Sequence, residues 1–294
     1  MLLLAALVWG VAFVAQSEGL NYVGAFTFNT CRFILGGAVL IPCIYFLHGR
    51  KDSAWQTLSE KEKKEQTRMG IIGGICCGCI LCLASCLQQF GIAQTTVGKA
   101  GFITTLYIII VPFMGLFLKK KIGINIWISA VIAAVGMYFL CITESFSIGA
   151  GDRLVLMFSV VFSVHILVID HFSPKADGVV ISCVQFFTAG VIASVLMLLF
   201  EHPSMSAVIA AAAPILYAGV MSCGVGYTLQ VVAQNGVDPT VASLLLSLES
   251  VFSVLAGWML LGQKLSGREL FGCVLVFAAV LLVQIPTEKL FHTA

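Results

Sequence analysis

Met69-Gly-Ile-Ile-Gly-Gly-Ile-Cys-Cys-Gly-Cys-Ile-Leu-Cys-Leu-Ala-Ser-Cys-Leu-Gln-Gln-Phe90 runs for 22 residues without a charged side chain. That is the length a helix needs to cross the hydrocarbon layer of a bilayer, about 20 residues at 1.5 Å each. In lipid every backbone N–H and C=O must be satisfied within the segment, so such a stretch reads as a helix. Gly70, Gly74 and Gly78 recur every fourth residue, a spacing that lets another helix approach closely.

Nine further stretches resemble it. The ten expected spans are 2–17, 24–47, 69–90, 97–118, 123–142, 153–171, 178–200, 209–232, 238–261 and 267–285. The composition agrees: of 294 residues, 60% are hydrophobic and 10% are charged, against about 25% charged in soluble domains. The longest polar stretch, His48–Arg68, reads as a loop. A net charge of +2 points to neither nucleic acid nor an acidic partner. The chain opens directly into Leu2-Leu3-Leu4, without a basic leader or cleavage site, so the first stretch reads as a retained helix with a few residues missing before it.

Cytoplasmic loops concentrate lysine and arginine. With the N-terminus inside, the inner loops hold eleven of the sixteen: Arg50, Lys51, Lys61, Lys63, Lys64, Arg68, Lys119, Lys120, Lys121, Lys175 and Lys289. The outer loops hold Arg153, Lys264 and Arg268, while Arg32 and Lys99 lie within spans. Both termini are therefore expected in the cytoplasm.

The chain also repeats itself. A shift of 142 residues places Leu87-Gln88 on Leu229-Gln230, Ala100 on Ala242, Thr105 on Ser247, Leu106 on Leu248 and Tyr107 on Glu249. A shift of 153 places Trp9 on Phe162 and Arg32-Phe33 on Gln185-Phe186. The expected architecture is all-α and polytopic, ten transmembrane helices in two inverted five-helix repeats, residues 1–145 and 146–294. An odd number of helices per half forces the inversion, a recurrent construction of secondary transporters, which place the substrate near the midplane between the halves.

Four ionisable groups fall inside spans: Arg32, Lys99, His165 and Glu249. A charge there costs roughly 2.5–3.5 kcal/mol even on the insertion scale, so it should face a cavity or a partner. Glu249 is the leading candidate to bind a proton or a cationic substrate group. The bland alternative is an ion pair with Arg32 or Lys99, and those two can also snorkel to an interface. Asn29, Gln88, Gln89, Thr104, Tyr107, Gln185, Gln230 and Gln234 could line a site or tie helices together. Trp9 and Phe13 share a helix face, for packing or for an aromatic wall. Pro42 and Pro112 remove backbone bonds, and a bend in the fourth span would suit gating.

Some patterns carry no such weight. Cys76, Cys77, Cys79, Cys82 and Cys86 crowd an apolar helix without histidine or acid, so they read as small apolar residues and no metal or disulfide is implied. His165 and Asp170 are five apart and point to different helix faces. No phosphate-binding loop is present, and no cofactor is expected. An intramembrane lipid-modifying enzyme remains the alternative; it would cluster its polar groups at one membrane surface. A receptor or scaffold lacks support, since no soluble module is visible.

Several stretches carry a family likeness. Leu7–Gln16 (LVWGVAFVAQ), Phe28–Phe33 (FNTCRF), Lys99–Tyr107 (KAGFITTLY) with Val111-Pro112, and Ala242–Phe252 (ASLLLSLESVF) with Gly257-Trp258 resemble EamA-type members of the drug/metabolite transporter superfamily. The resemblance implies a bacterial inner membrane and a central cavity lined mainly by spans 1, 3, 4, 6, 8 and 9. It further implies export of amino acids or similar small polar metabolites; alternating access is expected from the two halves, and protons are a candidate coupling ion from the reading of Glu249. The residues expected to bind substrate or couple are Glu249, Tyr107, His165, Arg32, Asn29, Lys99, Gln230 and Trp9. Oligomeric state is not legible.

Overall fold

The computed structural model describes residues 1–50, 54–95, 97–119, 122–141, 148–261 and 266–283, with side chains at 54, 97–99, 140–141, 257 and 260–261 excepted. The described residues form helices and connections, with no strand among them. In chain order these are α1 (Leu2–Gly19), α2 (Ala25–Gly49), α3 (Ala54–Thr57), α4 (Glu60–Ile92), α5 (Val97–Thr104), α6 (Tyr107–Phe117), α7 (Ile124–Cys141) and α8 (Ala150–Phe172). There follow α9 (Gly178–Phe200), α10 (Met205–Ala210), α11 (Ala212–Leu216), a π-helical segment (Tyr217–Tyr227), α12 (Thr228–Gln234), α13 (Pro239–Leu246), α14 (Leu248–Leu261) and α15 (Gly267–Val283).

Eight helical stretches among the described residues are long and apolar enough to cross a membrane: α1, α2, α4, Ala100–Phe117, α8, α9, Ala212–Gln234 and Pro239–Ala256. Helix α15, at 17 residues, is shorter, and α7, at 18 residues, packs along it. Gly136 makes that approach possible, because a Cβ there would sit 2.9 Å from the Gly272 carbonyl oxygen.

Side chains are distributed the opposite way from a soluble domain. Phe113, Phe117, Leu198, Leu199, Phe200 and Met205 are exposed, whereas Asn29, Arg32, His165, Gln185, Gln230 and Glu249 are each at most 4% exposed. Apolar surface outside and polar groups inside is the arrangement lipid stabilises and water would not. The protein is a multi-pass membrane protein.

The glycines of α4 do what their spacing implies. A Cβ on Gly70, Gly74 or Gly78 would lie 3.0, 2.5 or 2.6 Å from α9, against Val180, Val184 and the Gln185 carbonyl oxygen respectively. Helix α1 seats against α14 at Gly10 and against the π segment, where Gly226 lies under the Trp9 indole. Helix α9 runs antiparallel to α2 and is tied to it at both ends. Glu201, just after α9, accepts from the Phe26 and Thr27 amides (3.0 and 2.8 Å) and the Thr27 hydroxyl (2.6 Å) at the N-terminus of α2. At the opposite end Asp177 caps α9 by accepting from Val179 N (2.7 Å) and pairs with His48 of α2 (3.0 Å).

Two expectations need correction. His48–Arg68 is not all loop: α3 lies within it, and α4 begins at Glu60. The Ser59 side chain accepts from the Glu62 amide while Glu62 accepts from Ser59, a capping box. Those bonds hold the Glu62 carboxyl below its usual range. Lys63–Glu60 and Arg68–Glu65 pairs then carry the helix through a polar sequence. The fourth span breaks at Thr105–Leu106, between α5 and α6, whereas Pro112 lies inside α6. The eighth passes through the π segment, a register change with no proline inside it. Lys51, Lys120, Lys121, Lys264 and Lys289 lie outside the described residues.

Candidate functional site

The stretches Ala100–Phe117 and Pro239–Ala256 are interrupted at matching places. Helix α5 ends at Thr104 and α6 starts at Tyr107; α13 ends at Leu246 and α14 starts at Leu248. Each break presents a side chain to the interior. The Tyr107 hydroxyl donates to Glu249 Oε1 at 3.0 Å in a buried setting. Interrupted helices free backbone groups at membrane depth and are tolerated where they border a cavity or are buried in protein.

Glu249 borders such a cavity, a narrow one with room of about 20 Å³, enough for one water-sized molecule. Trp9, Phe13, Phe158, Phe162 and Tyr227 form its aromatic wall; Gln16, Arg32, Gln88, Thr104 and Ser222 supply the remaining polar lining. The wall is tightly built. Trp9 lies 4.5 Å from Tyr227 and 6.0 Å from Phe162, and its Nε1 donates to the Ser222 carbonyl of the π segment at 3.4 Å. Tyr107 packs on Phe162 at 5.7 Å, so the acid's partner also buttresses the wall.

Arg32 is 2% exposed. Its Nη1 donates to Gln16 Oε1 at 3.2 Å, and the guanidinium lies 4.8 Å from the Phe33 ring centre. Nε and Nη2 are buried with no partner. Arg32 and Glu249 share the cavity yet form no ion pair, so the Arg32–Glu249 pair weighed from sequence is absent.

The other candidates fall in different places. His165 bonds Gln185 Oε1 at 3.1 Å; that oxygen accepts, so Nε2 donates, and the ring stacks on Phe162 at 5.4 Å. Asn29 donates to Cys86 Sγ at 3.7 Å and its oxygen is unpartnered. Gln230 is fully buried with neither amide atom partnered. None of these three borders the cavity. The Lys99 side chain lies outside the described residues. Thus the cavity gathers Trp9, Arg32 and Glu249, with Tyr107 behind Glu249. Sequence reasoning passed over Gln16, Phe158 and Tyr227: two are aromatic residues in aromatic-rich spans, and Gln16 ends the first span, where a polar residue is ordinary.

Three of the residue pairs equated by the two sequence shifts meet. Trp9 meets Phe162, Tyr107 meets Glu249, and Phe33 stacks on Phe186 at 6.2 Å with an interplanar angle of 15°.

The model of the EamA-like transporter family matches residues 1–142 and 149–285. The chain belongs to the EamA-like transporter family. A curated relative from Archaeoglobus fulgidus, described as an uncharacterized transporter, is 29% identical over 285 residues, covering 97% of this chain and 84% of its own length. A solved crystal structure shares the fold at a TM-score of 0.76 and 17% identity, spanning 98% of this chain and 96% of that one. This EamA-like protein is a membrane transporter.

Proposed function

We propose that this EamA-like transporter is a secondary transporter that exports a small polar metabolite, an amino acid or a similar compound, by alternating access. Glu249 is its substrate or coupling residue, and protons are the candidate coupling ion. The observation that carries the reading is Glu249 itself: buried near a helix break, held by Tyr107, and facing a narrow aromatic-walled cavity with an unpaired arginine.

Ten spans follow if α7 and α15 complete the eight stretches long and apolar enough to cross a membrane. Two inverted halves, 1–145 and 146–294, are supported by the antiparallel run of α2 and α9 and by the meeting of shift-related residues. The two successive family matches support the same division. The excess of lysine and arginine in alternate loops supports cytoplasmic termini in a cell membrane. A transporter is favoured over a lipid-modifying enzyme because the polar groups border an interior space.

Reconstituted vesicles loaded with a metabolite panel test the proposal. Wild-type protein should move at least one compound, faster under a pH gradient if protons couple. Glu249→Gln should abolish that flux while folding normally. Wild-type flux from a correctly folded Glu249→Gln protein would sink the assignment.

A further inference from the structure

We infer that Arg32 seats a carboxylate of the transported molecule, an inference that rests on the transporter reading above. The argument starts from which nitrogens are free. A guanidinium offers five N–H bonds in a planar fork. In Arg32 only Nη1 is engaged, by the neutral amide oxygen of Gln16. The two left over, Nε and Nη2, lie along one edge of the planar guanidinium and carry parallel N–H bonds. That edge matches the two oxygens of a carboxylate.

A structural arginine so deeply buried would be expected to pair with a protein carboxylate. Among the described residues none lies within ion-pair distance of Arg32, although Glu249 lines the same cavity. Buried donors without partners call for an explanation, and a ligand that completes them supplies one. Phe28 and Phe33 lie beside the guanidinium (5.8 and 4.8 Å) and, with Gln16, hold it in place without consuming the free edge.

Charge narrows the ligand further. Arg32 is the sole lysine or arginine buried among the described side chains, and Glu249 stands nearby. With the Glu249 carboxyl protonated, one guanidinium balances one carboxylate; with it ionised, the ammonium of a zwitterion restores the balance; a phosphate dianion would leave negative charge uncompensated in either case. The aromatic wall of Trp9, Phe162 and Tyr227 is placed to take the ligand's apolar remainder. A simple monocarboxylate and a zwitterion share the group that Arg32 reads.

The test uses full-length protein in lipid nanodiscs and three matched probe sets: the proteinogenic L-amino acids, the corresponding acids lacking the amine, and the amino acid amides. Calorimetry and thermal stabilisation report binding; vesicle flux is measured alongside. At least one carboxylate should bind, and its amide should bind about 10- to 100-fold more weakly, the range for one buried charge-assisted pair. Arg32→Lys, which keeps the charge and loses the fork, should weaken the acid by at least about tenfold and narrow the acid–amide difference. The wild-type acid–amide comparison stands even if that variant misfolds. Binding of the amino acids alone identifies a zwitterion; binding of the deaminated acids too identifies a monocarboxylate site, and either supports the seat. Amides binding as tightly as acids, or no carboxylate binding at all, would overturn it. Flux of a neutral or cationic compound with acids inert would leave the transporter standing and remove the seat. Carboxylate binding without flux would do the reverse.

Discussion

Alanine at Gly10 places a methyl carbon 2.7 Å from the Glu249 carbonyl oxygen, 2.7 Å from Phe252 Cβ and 2.8 Å from the Ser253 nitrogen. Comfortable contact begins at about 3.5 Å, so α1 and α14 must separate by roughly 0.7–0.8 Å. Two of the three atoms are backbone, and no rotamer change relieves them. Overpacking of this kind costs about 1–3 kcal/mol, which lowers the folded-to-unfolded ratio about 5- to 150-fold. The better helix propensity of alanine returns at most about 1 kcal/mol. Gly49→Ala is the matched control: it adds the same methyl at the end of α2, where nothing lies within 4 Å. Unfolding titrations in bicelles should rank the proteins Gly49→Ala at or above wild type, and Gly10→Ala clearly below. Transport by the Gly10 variant should also fall, because the contact it disturbs is the backbone of Glu249. Equal unfolding midpoints for the two variants would refute the packing deduced at this crossing.

Tyr107→Phe removes the donor to Glu249 Oε1; a buried hydrogen bond to a charged group contributes about 1.5–3 kcal/mol, so vesicle flux should drop roughly 10- to 100-fold. Unchanged flux would show that the phenol is not needed. Glu201→Ala strips three accepted hydrogen bonds from the start of α2 and should lower stability by about 0.5–2 kcal/mol in the same unfolding assay, with ligand affinity unaltered. Asp177→Ala should cost more than His48→Ala, since Asp177 both caps α9 and pairs with His48; equal losses would mean the cap contributes nothing.

Eight membrane-length helical stretches were legible because lipid demands long apolar helices, and the α4 glycine stripe because its period is that of the helix. The Tyr107–Glu249 contact was within reach as well, since the 142-residue shift equates them. Matching positions in two halves do not have to touch, however, and only coordinates show that these do. The capping box Ser59-x-x-Glu62 is written in the sequence, but nine charged and polar residues from Glu60 to Arg68 concealed the helix behind it. Proline drew attention to position 112, while the fourth span breaks near Thr105, beside the residue it shares with Ser247 under the shift. The ties between α2 and α9 join residues 129 and 174–175 positions apart. Nothing local marks Glu201 as the acceptor at the start of α2. Arg32 was visible as a buried charge; which of its nitrogens remain free depends on Gln16 alone.

The two-ended tie between α2 and α9 restricts how the molecule can move. Sliding one helix past the other by a single turn, about 5.4 Å, would break the Glu201 and Asp177 contacts together, so axial displacement is disfavoured at both ends at once. Tilting is resisted as well. Phe33 stacks on Phe186 between the two ties, and rotation about that point would draw both end contacts apart. The pair is therefore held as one unit. In the alternating-access cycle proposed above, the movement that opens the cavity would have to come from helices outside this pair.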